Sequence, residues 1–175
     1  GPSSDMSGPD LAIAIRPEAP GEEEAIHRLT AAAFRDVPHS DGSEPAIVER
    51  LRRDGDLALS LVAEDATGIV GHIAFSRVSI SDRAKDWYGL APVSVRPDLH
   101  HRGVGSALIR RGIADIAERG ARGIVLLGEP AYYARFGFAH EPQLAYPGPP
   151  SEYFQCLLIE GDLPRGEVSY APAFG

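Results

Sequence analysis

The sequence predicts an α/β fold in which a mixed β-sheet is flanked by helices. Three apolar runs follow one another between residues 57 and 95, a strand-helix-strand unit spans residues 89–127, and amphipathic helical patterns precede and separate these segments. Consecutive strands favour antiparallel pairing, whereas a strand-helix-strand unit favours parallel pairing. One sheet that contains both kinds of pairing satisfies all three observations.

The first half of the chain is predicted to contain a strand, two helices and a hairpin. Glu22, Glu23 and Glu24 form an acidic helix start, which the helix dipole favours, and apolar residues follow at helical spacing. A turn signal at residues 65–68 separates two apolar runs. The predicted elements are a strand at 11–15, helices at 22–34 and 44–54, and strands at 57–64 and 69–78.

The second half contains the predicted strand-helix-strand unit and a final strand. Apolar residues recur at intervals of three and four from Val104 onward, and Gly120 is a natural residue to follow the helix end. Pro130 suits the first position of a short helix that ends before Gly137. The predicted elements are strands at 89–95, 124–127 and 154–160 and a helix at 104–119, with polar or proline-rich loops at 79–86 and 142–150.

Length and composition restrict the class of protein. The 175 residues suit one domain, at 11–174, and residues 1–5 resemble an expression scar. No apolar run is long enough to span a membrane. The net charge of −8 argues against a nucleic-acid partner and is compatible with a cationic substrate. Because Cys156 is the only cysteine, we expect a cytoplasmic protein without disulfides or a metal.

The strongest local signal is the loop His100-His101-Arg102-Gly103-Val104-Gly105-Ser106, which joins a strand to a long helix. Glycine lets the backbone approach a ligand closely and adopt positive φ. The first amides of a helix lack intrahelical partners, and the helix dipole adds positive potential there. The loop therefore predicts a site for a phosphate or pyrophosphate, with Arg102 as a charged donor at its rim.

Two well-known nucleotide-binding loops do not fit this arrangement of glycines. A Walker loop requires Lys after its last glycine, but Ser106 follows Gly105. A Rossmann loop requires a third glycine where Leu108 stands, and a first glycine closer to its strand than Gly103 is to Val95. A purely structural turn would explain the two glycines but not the companion segments described next.

Several segments together resemble the GNAT N-acetyltransferases, and most closely their YhbS-like branch. The motif His100-x-x-Gly103-x-Gly105 is similar to the acetyl-CoA signature of that family, which usually has Gln or Arg where this chain has His100. Three further segments agree, and the resemblance extends from about residue 11 to 174. They are residues 70–76, Gly128-Glu129-Pro130-Ala131-Tyr132-Tyr133-Ala134-Arg135-Phe136-Gly137-Phe138, and residues 170–174.

The resemblance implies a centrally splayed sheet and an enzyme that transfers acetyl from acetyl-CoA to a primary amine. The amine, on a small molecule or a protein, would attack the thioester directly in a ternary complex. Val93, Ser94 and Val95 would bind the pantetheine arm at a β-bulge, and residues 100–106 would bind the phosphates. Tyr133 matches the position of the usual general acid, and phenols can donate protons. The enzyme is expected to be a monomer or a homodimer.

The sequence leaves the general base and the acceptor open. His72 is a candidate base, although a structural histidine is the more common case, and Glu129, His39 and Asp41 are weaker candidates. The absence of a clear base keeps a second hypothesis open, namely an acyl-CoA-binding sensor without turnover. Residues 34–45 and 79–88 occupy the positions of the acceptor site, but Trp87 and Tyr88 could equally belong to the core.

Overall fold

A computed structural model describes residues 12–175, so the expected scar and Leu11 lie outside the described part of the chain. The strands are β1 (Ala14–Pro17), β2 (Leu57–Asp65), β3 (Gly68–Arg77), β4 (Ser79–Ile80), β5 (Trp87–Val95), β6 (Gly123–Leu127), β7 (Leu144–Ala145), β8 (Phe154–Leu158) and β9 (Gly166–Ser169). The α-helices are α1 (Glu23–Phe34), α2 (Glu44–Asp54), α3 (Val104–Glu118) and α4 (Pro130–Tyr133). Four 3₁₀ turns cover Pro97–Leu99, Ala134–Phe136, Ser151–Tyr153 and Pro172–Phe174.

Six of the strands form one mixed sheet, which confirms the predicted fold class. Their order across the sheet is β1-β2-β3-β5-β6-β8. The pairing is antiparallel throughout except between β5 and β6, which are parallel and are connected by α3. The sheet thus consists of an antiparallel half and a second half joined through the single strand-helix-strand unit.

The two halves of this sheet separate along β5. Its residues Trp87–Gly89 pair with β6, whereas Leu90–Val95 pair only with β3. A β-bulge interrupts the pairing with β3, because Phe75 is opposite Leu90 while Ile73 is opposite Val93. The sheet is therefore splayed in its centre, as the family resemblance implied, and one edge of β5 is left open from Leu90 onward.

Helix α3 packs closely on one face of the sheet because two glycines remove side chains from the contact. A Cβ atom added to Gly71 would lie 2.9 Å from side-chain atoms of both Leu108 and Val104. A Cβ atom added to Gly112 would lie 2.5 Å from the ring of Phe75. Larger residues would push the helix outward, so these glycines fix the position of its N-terminus beside the end of β5.

Helices α1 and α2 cover the opposite face, on which a smaller core forms. Ile26 from α1 and Val48 from α2 are buried against Val62 of β2. Gly55, with a φ of 77°, ends α2 and donates its backbone N–H to the Arg52 carbonyl. This arrangement brings the C-terminal end of α1 to the side of the sheet where β5 and β6 separate.

A second, three-stranded sheet of order β4-β9-β7 covers a further core that includes Trp87, Val125 and Phe154. Strand β4 lies in the segment predicted as a loop at 79–86, and β7 lies in the proline-rich segment. These predictions were wrong because the three strands have two to four residues, too few for an alternating pattern to be visible.

Most predicted strand boundaries differ from the structure by one to three residues; β5, for example, begins at Trp87 rather than at Gly89. Strand β1 begins at Ala14 and continues through Pro17, because an edge strand tolerates a proline that lacks an N–H. Strand β8 ends at Leu158 rather than at residue 160. There the N–H groups of Ile159 and Glu160 both donate to the Arg122 carbonyl, at 2.8 and 3.1 Å, instead of continuing the strand.

Candidate active site

The loop after β5 has the backbone conformation of an anion site. His101 has a φ of 64° and Gly103 a φ of 89°, so two nearby residues adopt left-handed conformations before α3 starts at Val104. Such conformations turn successive N–H groups to one side of the chain. No side chain caps the N-terminus of α3. The first amides of this 15-residue helix are therefore available to an anion, and the helix dipole favours negative charge at its N-terminus.

This loop lines a cavity of about 730 Å³, which is within the usual size range of cofactor sites. The cavity is lined by Val95, Leu99, His100, His101, Gly103, Val104, Gly105, Ser106, Tyr132 and Arg135. A second cavity, of about 250 Å³, shares four of these residues. It is lined by Ala33, Phe34, Val37, Val93, Val95, His100, Gly105, Ile109, Tyr132 and Tyr133. The two cavities are therefore adjacent, and together they form the cleft described below.

The charged groups around the larger cavity are predominantly basic. Asp98, the acid of the loop, accepts a 2.7 Å bond from Arg96, and this contact holds the pKa of the Asp98 carboxyl below its usual value. His101 and Arg135 line the cavity, and the Arg135 guanidinium lies 4.4 Å from the centre of the Tyr132 ring. A multiply charged anion would therefore meet backbone donors and basic side chains together.

The open edge of β5 provides backbone groups inside the cleft. The Arg96 N–H donates to the Val70 carbonyl at 2.9 Å, so the groups of Arg96 and of Ser94, two residues earlier, point toward β3. Those of Val93 and Val95 consequently point toward the gap between β5 and β6. His100 Nε2 lies 3.2 Å from the Val95 carbonyl oxygen and donates to it, which links the loop to the strand.

Two adjacent tyrosines form the wall opposite this strand. Tyr132 lines both cavities, and a Cβ atom added to Gly105 would lie 3.8 Å from its hydroxyl oxygen. Tyr133 lines the smaller cavity, and burial raises the pKa of its phenol to about 12. The ring of Tyr133 packs against Gly128 so closely that any side chain at residue 128 would clash with the ring. The phenol of Tyr133 is therefore held in place and is protonated at physiological pH.

Nine of the eleven site residues predicted from the sequence line the cleft, and Ser94 and Arg102 line neither of its cavities. Ser94 is buried on the other face of β5, and Arg102 is exposed. The cleft also contains Tyr132, Arg135, Phe34 and Val37, none of which was individually predicted to be a site residue. Tyr132 and Arg135 belong to the recognised motif, and Phe34 and Val37 lie in the 34–45 segment where the resemblance implied an acceptor site.

The candidates for a general base do not line the described cleft. His72 is fully buried on the α1–α2 face, where Ser60 Oγ lies 2.8 Å from its Nε2 atom and desolvation lowers its pKa to about 4. Glu129 is exposed at the start of α4, outside both cavities. His39 is exposed, and Asp41 lines another cavity, which shares Phe34 with the smaller cavity of the cleft.

The remaining candidates are part of the core. Trp87 and Tyr88 are 1% and 3% exposed, so they do not form an acceptor surface. Cys156 is buried, and burial raises the pKa of its thiol to about 12. Among residues 12–175 no group of three or more His, Cys, Asp or Glu side chains could hold a metal ion. In the same part of the chain, none of the helices has the length and apolarity needed to cross a membrane.

Comparison with known proteins identifies the class to which this fold and cleft belong. The model of the acetyltransferase (GNAT) domain family matches residues 14–140, which is more than half of the chain. The protein therefore belongs to the GNAT acetyltransferase family, a family of enzymes, as the loop and its companion motifs predicted.

The similarity to the YhbS-like branch is also found. The chain is 35% identical over 157 residues to the uncharacterized N-acetyltransferase YhbS of Escherichia coli K12, covering 87% of this chain and 90% of YhbS. A crystal structure of YhbS with CoA matches with a TM-score of 0.84 and 33% identity, over 95% of this chain and 93% of that one. A GNAT acetyltransferase from Brucella melitensis, crystallised with acetyl-CoA, matches with a TM-score of 0.84 and 45% identity, over 94% and 99%.

Proposed function

We propose that this protein transfers the acetyl group of acetyl-CoA to a primary amine by direct attack in a ternary complex. The observation that carries the proposal is the pair of adjacent cavities, whose lining brings together the N-terminus of α3, the open edge of β5 and the Tyr133 phenol. The acceptor amine belongs to a small molecule or to a protein. Complexes of two similar proteins with acetyl-CoA or CoA support the donor half of this proposal.

The cleft fits the donor molecule in order along its length. Residues 103–106 would hold the pyrophosphate with backbone amides, Arg135 would add positive charge, and His101 could add a hydrogen bond. The outward-pointing N–H and C=O groups of Val93 and Val95 match the two amides of a pantetheine arm, which need both donors and acceptors. His100 replaces the usual Gln or Arg of the motif, and because it bonds to Val95 it stabilises the site through the protein backbone.

The chemistry assigned to the chain is proton donation within an apolar cavity. Acetyl-CoA supplies a thioester whose carbonyl carbon is attacked by the amine, so that an N–C bond forms and the C–S bond breaks. The leaving thiolate takes a proton, which we assign to the Tyr133 hydroxyl. Burial makes Tyr133 a weaker acid than free tyrosine, but the same apolar surroundings also raise the proton affinity of a thiolate.

The proton of the attacking amine has no assigned acceptor in the cleft. No carboxylate is among the described residues that line either cavity. A fraction of the amine is neutral when it enters the cleft and can attack directly. The proton that it loses after the attack can pass to solvent through the open end of the cleft, so no dedicated base is required. Since the Cys156 thiol is buried outside both cavities, direct attack is favoured over a covalent acetyl-enzyme.

The proposal is tested by incubating the protein with acetyl-CoA and a panel of primary amines while free thiol is measured, with CoA affinity determined separately by calorimetry. We expect amine-dependent thiol release, an acetylated amine and no acetylated protein intermediate. Tight CoA binding without thiol release from any amine would support the sensor hypothesis instead. Failure to bind CoA would show that the donor site has been assigned wrongly.

A further inference from the structure

A line of polar side chains crosses the buried face of the sheet beneath α1 and α2. Its outer end is the ion pair of Arg52 with Glu18, in which the guanidinium donates two bonds of 3.0 Å to the carboxylate. Ser60 Oγ lies 2.5 Å from the same carboxylate and 2.8 Å from His72 Nε2. The line therefore leads from a partly exposed ion pair beside β2 to a fully buried imidazole on β3.

The donors and acceptors in this line have one consistent direction. The Glu18 carboxylate is paired with Arg52 and has no hydrogen to donate, so it accepts the hydroxyl hydrogen of Ser60. Because that hydrogen is used, the Ser60 oxygen must accept from His72, and the imidazole carries its hydrogen on Nε2. His72 is neutral, since desolvation lowers its pKa to about 4. Its Nδ1 atom is therefore a hydrogen-bond acceptor directed away from Ser60.

Two buried groups opposite each other have complementary requirements. His72 Nδ1, an acceptor, and Ser94 Oγ, which can donate, are both buried and have no hydrogen-bond partner among the described residues. The register of β3 and β5 places His72 directly opposite Ser94, so their side chains lie on the same face of the sheet. Directly opposed residues of antiparallel strands have Cβ atoms about 5 Å apart, within reach of a hydroxyl and a ring nitrogen.

We infer that the Ser94 hydroxyl donates to His72 Nδ1, by rotation about its Cα–Cβ bond or through one buried water, and that His72 thereby positions the strand that binds the pantetheine arm. The inference rests on the proposed function for the role of that strand. The resulting chain of bonds runs from Ser94 through His72 and Ser60 to Glu18, and it satisfies the imidazole at both of its ring nitrogens.

The position of Ser94 explains why such an anchor matters. Beyond Gly89, strand β5 has a neighbouring strand on one edge only. This part of β5 can therefore shift more easily than a strand that is paired on both edges. Ser94 lies between Val93 and Val95, whose backbone groups face the cleft. An anchor on the opposite face of the strand holds those groups in the bound geometry before the ligand arrives, which reduces the entropy lost on binding.

The inference is tested with the full chain and two matched variants, Ser94→Ala and Ser76→Ala. Ser76 is also a fully buried serine whose hydroxyl lacks a described partner, but it lies opposite Gly89 and not opposite His72. We expect Ser94→Ala to weaken CoA binding about fivefold, the contribution of one neutral hydrogen bond, and Ser76→Ala to leave it unchanged. No change in Ser94→Ala, or an equal loss in both variants, would overturn the positioning role.

A spectroscopic measurement decides the bond itself, without ligand. In ¹⁵N-labelled protein the His72 ring nitrogens are assigned by their loss in His72→Gln. We expect hydrogen on Nε2, and an Nδ1 resonance that moves in Ser94→Ala toward the value of an unbonded ring nitrogen while it stays fixed in Ser76→Ala. Hydrogen on Nδ1, or no shift in Ser94→Ala, would refute the bond. If the wild type bound no CoA, the proposed function would fail, but this measurement would still decide the bond.

Discussion

The left-handed residue Gly103 offers the sharpest test of the donor site, because an alanine there changes backbone conformation and nothing else. A Cβ atom at this position would meet no other atom within 4 Å, so a clash does not contribute. Gly55 is a matched control. Its φ of 77° is close to the 89° of Gly103, and its added Cβ atom is equally unobstructed, but it ends α2 outside the cleft.

The expected magnitude follows from these conformations. Holding an L-residue in the left-handed region costs about 1–2 kcal/mol relative to glycine. In a chain of this length, that loss corresponds to a decrease in Tm of about 2–8 °C, for both Gly103→Ala and Gly55→Ala. If the loop relaxes instead, the amides before α3 turn away from the phosphates. Loss of one or two charge-assisted bonds would weaken CoA binding about tenfold to a hundredfold in Gly103→Ala only.

Thermal unfolding and calorimetric titration with CoA, performed on both variants and the wild type, separate these effects. We expect Gly55→Ala to lose stability and to keep wild-type CoA affinity, and Gly103→Ala to lose CoA affinity. Wild-type affinity in Gly103→Ala, together with a stability loss clearly smaller than that of Gly55→Ala, would show that the loop has relaxed without affecting CoA and therefore does not bind the phosphates.

Three further outcomes are expected. Tyr133→Phe should lower kcat about a hundredfold or more at unchanged CoA affinity, whereas Tyr132→Phe should mainly weaken CoA binding. Steady-state kinetics and CoA titrations measure the two effects. If Tyr132→Phe lowered kcat and Tyr133→Phe weakened CoA binding, the roles of the two tyrosines would be exchanged. His72 stays neutral in the folded chain down to about pH 4, whereas in the unfolded chain it is protonated below about pH 6.5. The free energy of unfolding should therefore fall by about 3 kcal/mol as the pH decreases from 6.5 to 4. His72→Gln should remove this pH-dependent part in denaturant titrations. Native Cys156, with its thiol pKa raised to about 12, should react with iodoacetamide about a thousandfold more slowly than in the unfolded chain.

The left-handed loop before α3 was predictable because it depends on local backbone geometry. The spacing of Gly103 and Gly105 after an apolar strand determines where left-handed conformations and unpaired amides occur, and these follow from a short stretch of sequence. The main sheet was predictable for a related reason, since its longer strands and α3 have clear periodicities. The small sheet was missed because its strands are stabilised by distant pairings, such as Val168 with Ile80.

The parts of the site that could not be predicted have a different physical origin. Phe34 and Val37 reach the same cavity as Tyr133 although about a hundred residues separate them, and no spacing rule connects α1 with α4. Similarly, alternation along β3 places His72 on the face opposite Ile73, which could have been the face of the cleft, and only the packing of α1 and α2 shows that this face is closed.

These two cases bear on specificity in the proposed enzyme. Its donor half would consist of backbone groups along β5 and α3, which depend little on the side chains around them. Phe34 and Val37 lie beside Tyr133 at one end of α1, where their side chains can change without disturbing the sheet. Because both side chains are apolar, we expect them to affect the choice of amine through shape and exclusion of water.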